Sequence, residues 1–151
     1  MKIVKVVLAL VVVFVLIQFI RPVRSNPPVD QVKSHPAKLQ VPAPVASILA
    51  RSCNDCHSSL THWPWYSRVA PVSWLVAHDV SEGRGELSFS EWGGYPDQKL
   101  AKKLDAICRE VRSGDMPPAT YLPMHRSARL SETDRTILCD WAKSEAAHLR
   151  K

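Results

Sequence analysis

Cys53, Cys56 and His57, within the stretch RSCNDCHSSL, are the residues of this chain best equipped for chemistry. Two thiols separated by two residues suit a redox dithiol or half of a zinc site. A histidine directly after the second thiol turns the same spacing into a signature for covalent haem attachment. In such a site the thiols add to the two haem vinyl groups as thioethers, and the imidazole stands against the iron as proximal ligand. The short spacing lets a single helical turn present all three groups. A thioredoxin-like dithiol wants a preceding strand in a βαβ pattern, which is missing here, and zinc wants four clustered ligands. Cys108 and Cys139 fall inside expected helices and make no second knuckle. One haem c, held through Cys53 and Cys56 with His57 as proximal ligand, is the expected cofactor.

A sixth iron ligand is sought in SGDMPPATYLPMHRSARLS, which offers Met116, Met124 and His125. Met116 stands in a Gly-Asp-Met-Pro-Pro loop, where proline rings stiffen the backbone that must hold a thioether in place. A thioether is a soft ligand that favours ferrous iron and raises the potential relative to a second imidazole. Met116 is the expected distal ligand; His125 is the alternative, followed by Met124. A lone methionine more often fills a gap in a core, but a polar, proline-bounded loop is a poor place for that role.

These groups need an apolar box, and the pattern of apolar residues supplies helices for it. Pro44 suits a first helical turn, and Val45, Ile48 and Leu49 follow at helical spacing into Cys53. A second helix is expected over 69–82, with Val69, Val72, Leu75, Val76 and Val80 on one apolar face and Gly83 and Gly85 ending it. A third runs from about Pro96 to Ser113, with Leu100, Leu104, Ile107 and Val111 on a stripe and Gly114 as its stop. The last opens at Ser131, with Asp134 completing a capping box, and buries Ile137, Leu138 and Trp141. No segment alternates with period two, so the domain is expected to be all-α.

The N-terminus begins MKIVKVVLALVVVFVLIQFIR. From Val6 to Ile20 its one polar residue is Gln18, and with Ile3 and Val4 the run is about long enough to cross a bilayer. A cleaved signal peptide usually has a shorter apolar run ending in small residues, whereas Arg21-Pro22-Val23-Arg24 follows here. The expectation is a single transmembrane helix over 1–21, a proline-rich spacer over 22–43 that lifts a domain off the membrane, and a haem-binding domain over 44–151. Lys2 and Lys5 on one side against Arg21 and Arg24 on the other leave the orientation open. Covalent haem attachment outside the cytoplasm resolves it, giving a bacterial inner-membrane protein whose domain faces the periplasm or cell exterior.

Charge excludes one further class. The chain holds 20 Lys and Arg against 14 Asp and Glu, a net +6. Residues 1–42 contain six of the basic and one of the acidic residues, so the remainder is close to neutral. No basic stripe marks a nucleic-acid binder.

The pieces CNDCHS, THWPWYSRVAPVSWLVAHDVSEGRGELSFSEW and GDMPPATYLPMHRSARLS, with Trp141 beyond, resemble a bacterial haem-binding domain family of small, membrane-anchored monohaem c-type cytochromes. The resemblance covers most of the chain from about Pro42 to Trp141. It implies a cytochrome c-like helical fold, attachment at Cys53 and Cys56, proximal ligation by His57 and distal ligation by Met116.

Other residues carry weaker expectations. Trp63, Trp65 and Tyr66 are placed as haem walls or propionate donors, with Arg68 as a further propionate candidate. His62, His78, His35 and His148 receive no ligand role. Outside the cytoplasm exposed thiols oxidise, so a Cys108–Cys139 disulfide is expected. A haem sealed by two protein ligands suits outer-sphere electron transfer with redox partner proteins. The alternative is a haem enzyme or a gas or peroxide sensor in which the distal ligand is labile, and a third class is a thiol oxidoreductase using Cys53 and Cys56.

Overall fold

The computed structural model describes residues 1–30, 34 and 39–151, and among these every regular element is helical. In chain order the α-helices are α1 Lys2–Ile17, α2 Ala43–Ser52, α3 Asn54–His57, α4 Val72–Glu86, α5 Asp97–Ser113 and α6 Glu132–His148. Short 3-10 turns at Trp65–Arg68, Trp92–Gly94 and Arg126–Ala128 connect them.

The all-α expectation holds, but the transmembrane helix does not. α1 has 16 residues, which at 1.5 Å per residue is about 24 Å, short of a hydrocarbon core of about 30 Å. Two of its residues are Lys2 and Lys5, and its helix stops before Gln18. Among the described residues no helix is long and apolar enough to cross a membrane. The expected single-pass placement in the bacterial inner membrane is therefore corrected along with it, because it rested on that span.

Residues after α1 are tied to the rest of the chain by hydrogen bonds. The Gln18 side-chain amide donates to the Ala70 carbonyl at 3.2 Å and accepts from the Ala70 N–H at 2.9 Å. Trp74 Nε1 donates to the Ile20 carbonyl, Arg24 to the Ser67 carbonyl and Asn26 to the Thr61 carbonyl. Arg84 reaches the same segment, donating to the Ser25 carbonyl and to Asn26 Oδ1.

The core forms where α5 packs on α6. Leu100, Ala101, Leu104, Cys108 and Val111 on α5 meet Leu138, Cys139, Trp141 and Ala142 on α6, all buried. Val45, Ile48 and Leu49 of α2 and the indole of Trp92 close this layer. The Cys108–Cys139 disulfide joins the two helices with a Cα–Cα distance of 4.5 Å. Cys139 is fully buried within this layer.

Helix ends follow local chemistry. Ser131 caps α6: its hydroxyl accepts from the Asp134 N–H at 3.1 Å, and Asp134 accepts from the Ser131 N–H at 2.8 Å. Gly114 ends α5 with φ +87°, a conformation that suits glycine.

α4 departs from expectation. It begins at Val72 and runs through Gly83 and Gly85 to Glu86. Val69, Val72 and Leu75, expected in the core, are 36–47% exposed, while Ser73, Val80 and Gly83 face inward. Small residues suit this face because another backbone approaches it at Gly83, which an apolar stripe would hold away.

Candidate functional site

The site begins at the break between α2 and α3. Cys53, at φ −129°, ends α2, and the single turn α3 then carries Cys56 and His57. The Cys53 carbonyl accepts from the His57 N–H at 2.9 Å, which sets both cysteines and the histidine on one compact turn. Arg51, just before the break, fixes this end of α2 against the entry to α6: it donates to the Ser127 and Arg129 carbonyls and pairs with Asp134 at 2.7 Å.

α3 lies against α4 at Gly83. A Cβ on Gly83 would stand 2.6 Å from the Cys56 carbonyl oxygen, far inside contact distance, so the approach requires glycine. The segment leaving α4 then clamps His57 twice. Its Nδ1 lies 3.0 Å from the Leu87 carbonyl, and its own carbonyl accepts from the Phe89 N–H at 2.7 Å. A carbonyl can only accept, so Nδ1 carries the proton and Nε2 keeps its lone pair for a ligand. Burial pushes the His57 pKa below its ordinary value, with the Leu87 and Gly83 carbonyls opposing that shift. Both the neutral state and the tautomer are those of a metal-ligating imidazole. Phe89 packs beside the ring at 5.9 Å and passes the contact to Trp92 at 4.9 Å.

Burial raises the Cys53 thiol to about 12, and Cys56 beside it adds to the rise. Burial again, with Asp79 and Asp55, raises Cys56 to about 11. A dithiol oxidoreductase needs a thiolate near neutral pH, and these surroundings disfavour one. Nor, among the described residues, do three or more His, Cys, Asp or Glu gather to hold a metal ion in the manner of zinc.

A cavity of about 550 Å³ opens over the turn, within the range of about 300–1,000 Å³ common for ligand sites. Leu49, Cys53, His57, Phe89, Ile107 and Met116 form its apolar wall, and Lys99, Lys102, Lys103 and Arg109 stand on its α5 side. A second cavity, about 260 Å³, shares Cys53, His57, Glu86 and Met116 with the first and continues past Cys56 to Asp55, Asp79, Glu82 and Tyr121. Met116 reaches this place because the chain turns at Gly114 and its N–H is held by the Glu110 carbonyl at 3.2 Å. The fold thus brings Cys53, Cys56, His57 and Met116 to one cleft.

The other candidates do not line these two cavities. His125 pairs with the Tyr66 hydroxyl at 2.6 Å and stacks on Tyr121 at 3.9 Å between ring centroids. Met124 is 60% exposed. Trp63 donates to Asn26, Trp65 is exposed and Arg68 is exposed, so neither these nor Tyr66 wall the cleft as expected. His62 and His78 are exposed and face Asp55 and Glu82, and His148 is exposed at the end of α6. His35 lies outside the described residues.

Sequence reasoning misses Gly83, Leu87 and the α5 lysines. A glycine inside a helical pattern is a legible signal of close packing, but Gly83 reads equally well as a helix stop. Leu87 acts through its backbone, which side-chain patterns do not report.

The donors fit a haem bound through two thioethers: paired thiols, an imidazole with a free Nε2, a thioether and an apolar cleft bordered by cations. Compared with known families, residues 12–144 match the one described as a haem-binding domain. No curated protein and no solved structure matches the chain.

Proposed function

The chain belongs to the haem-binding domain family, and from that premise we propose that it is a monohaem c-type cytochrome passing single electrons between redox partner proteins. Cys53 and Cys56 are its tethers, His57 its proximal ligand and Met116 its distal ligand. When bound, the group supplies reversible one-electron chemistry at iron. The observation that carries the reading is the His57 clamp: the Leu87 carbonyl engages Nδ1 and leaves Nε2 its lone pair, on a ring that lines the same cleft as Met116. The protein's own work is to hold both donors with little rearrangement, since Phe89 and the Glu110 carbonyl fix the two backbones. A rigid pair of donors lowers the reorganisation that accompanies each change of charge. The apolar wall excludes water and, with the thioether, favours the reduced state.

The second cavity supports a second reading, a haem sensor or enzyme with a labile distal ligand. It leaves room beside Met116, with the Tyr121 hydroxyl, donating to Asp55 at 2.9 Å, in its lining. Absorbance of the purified holoprotein separates the two. The carrier gives a low-spin ferrous spectrum, a ferric charge-transfer band that Met116→Ala abolishes, and no reaction with carbon monoxide. A high-spin spectrum and ready carbon monoxide binding would replace it with the sensor or enzyme.

A further inference from the structure

The two ends of the cleft carry opposite charge. On the α5 side Lys99, Lys102, Lys103 and Arg109 border the larger cavity, with Glu86 and Glu110 as its carboxylates, leaving two positive charges in excess. Past Cys56, the smaller cavity continues to Asp55, Asp79 and Glu82, and no lysine or arginine lines it. Haem has its own polarity: the vinyl carbons that become thioethers and the two propionate carboxylates project from different edges of the ring. With Cys56 at the acidic end, a haem tethered there would carry its carboxylate edge away from that end.

Resting on the c-type reading above, we propose that Lys99, Lys102 and Lys103 of α5 are the propionate-binding residues and so fix the in-plane orientation of the haem. Positions 99, 102, 103 and 106 fall on adjacent turns of α5, so one side of the helix borders the cavity while Leu100, Leu104 and Cys108 face the core. The aromatic ring of Tyr95 organises this edge. Lys99 Nζ lies 5.4 Å and Lys103 Nζ 5.2 Å from its centroid, and the Tyr95 hydroxyl accepts from the Ser88 N–H. Lys103 also donates to the Glu86 carbonyl, next to the Leu87 carbonyl that orients His57. Lys99 and Lys103 are therefore held at the cleft before any carboxylate arrives, with Lys102 beside them on the same rim, and two carboxylates match the two excess charges there. At the other end the same carboxylates would meet three like charges.

The test is a potentiometric titration of holoprotein across pH for wild type and for Lys99→Gln/Lys102→Gln/Lys103→Gln. Removing the cations is expected to lower the midpoint potential and to raise the redox-linked propionate pKa by about one unit. The triple Lys→Arg variant should return both toward wild type. Lys143→Gln, on an exposed position of α6, controls for general charge and should leave both unchanged. Where the triple variant does not accumulate, each single Lys→Gln variant should show a smaller shift of the same sign. A pH profile superimposable on wild type, or an equal shift in Lys143→Gln, overturns the propionate assignment. Haem retention after acid–acetone extraction is read on the same samples. Retention with an unchanged pH profile leaves the c-type reading standing alone, and loss of haem from wild type removes both.

Discussion

Gly83 and Cys56 meet with no room between them: a Cβ on Gly83 would lie 2.6 Å from the Cys56 carbonyl oxygen and 3.0 Å from its Cβ. The contact fixes the turn that presents both thiols and His57. Gly83→Ala is expected to push α3 off α4, costing about 1–3 kcal/mol as overpacking and lowering the yield of covalently attached haem several-fold. Gly85, two residues on in the same helix, has nothing within 4 Å of where a methyl group would stand. Gly85→Ala should instead stabilise by about 0.5–1 kcal/mol through helix propensity. Denaturant unfolding and haem yield of the two variants, measured side by side, check the contrast.

The thiols of the apoprotein should be inert. With Cys53 raised to about 12 and Cys56 to about 11, alkylation at pH 8 should run on the order of 100-fold slower than for an exposed cysteine, since the thiolate is the nucleophile. Reaction at the rate of a free thiol would restore the dithiol reading.

Acid should unfasten the α6 cap. The Ser131 N–H and hydroxyl, with Arg51, hold the Asp134 carboxyl below its ordinary value near 3.8. Between that value and the lower folded one the unfolded chain binds more protons, so stability rises with pH there. The contribution is complete above the ordinary value and is lost as pH falls through the folded one. Asp134→Asn should flatten the acid limb of an unfolding profile, and Ser131→Ala should cost about 1 kcal/mol at pH 7.

The disulfide closes a sequence separation of 31 residues, worth about 3–4 kcal/mol by chain entropy. Cys108→Ala/Cys139→Ala should lower the stability of the domain by that order in denaturant titrations while leaving the haem attached, because neither residue lines the cleft.

How far the sequence can be read depends on whether a feature is written in side chains or in backbone. α5, its Gly114 stop and the Ser131–Asp134 cap are legible because each follows from a local pattern. That Cys53, Cys56 and His57 belong together is legible from their spacing, and the fold brings Met116 to the same cleft. α4 is legible as a helix, but its inward face is not, because beside Val80 that face is built from Ser73 and Gly83, and apolar periodicity has no sign for a buried small-residue face. The N-terminal run looks long enough to span because hydropathy continues past Ile17, where the helix itself ends. Trp63, Trp65 and Tyr66 look like cofactor walls through closeness in sequence, yet they face the segment before the domain, solvent and His125. The α5 lysines belong to no motif in the sequence, and only the fold puts them at the mouth of the cleft.

The most direct measurement is acid–acetone extraction of denatured holoprotein, followed by the absorbance of the precipitated chain. Two thioethers at Cys53 and Cys56 predict that the haem stays with the polypeptide, and that Cys53→Ala/Cys56→Ala releases it. Haem that leaves wild type into the acetone would contradict covalent attachment and, with it, the account of this turn.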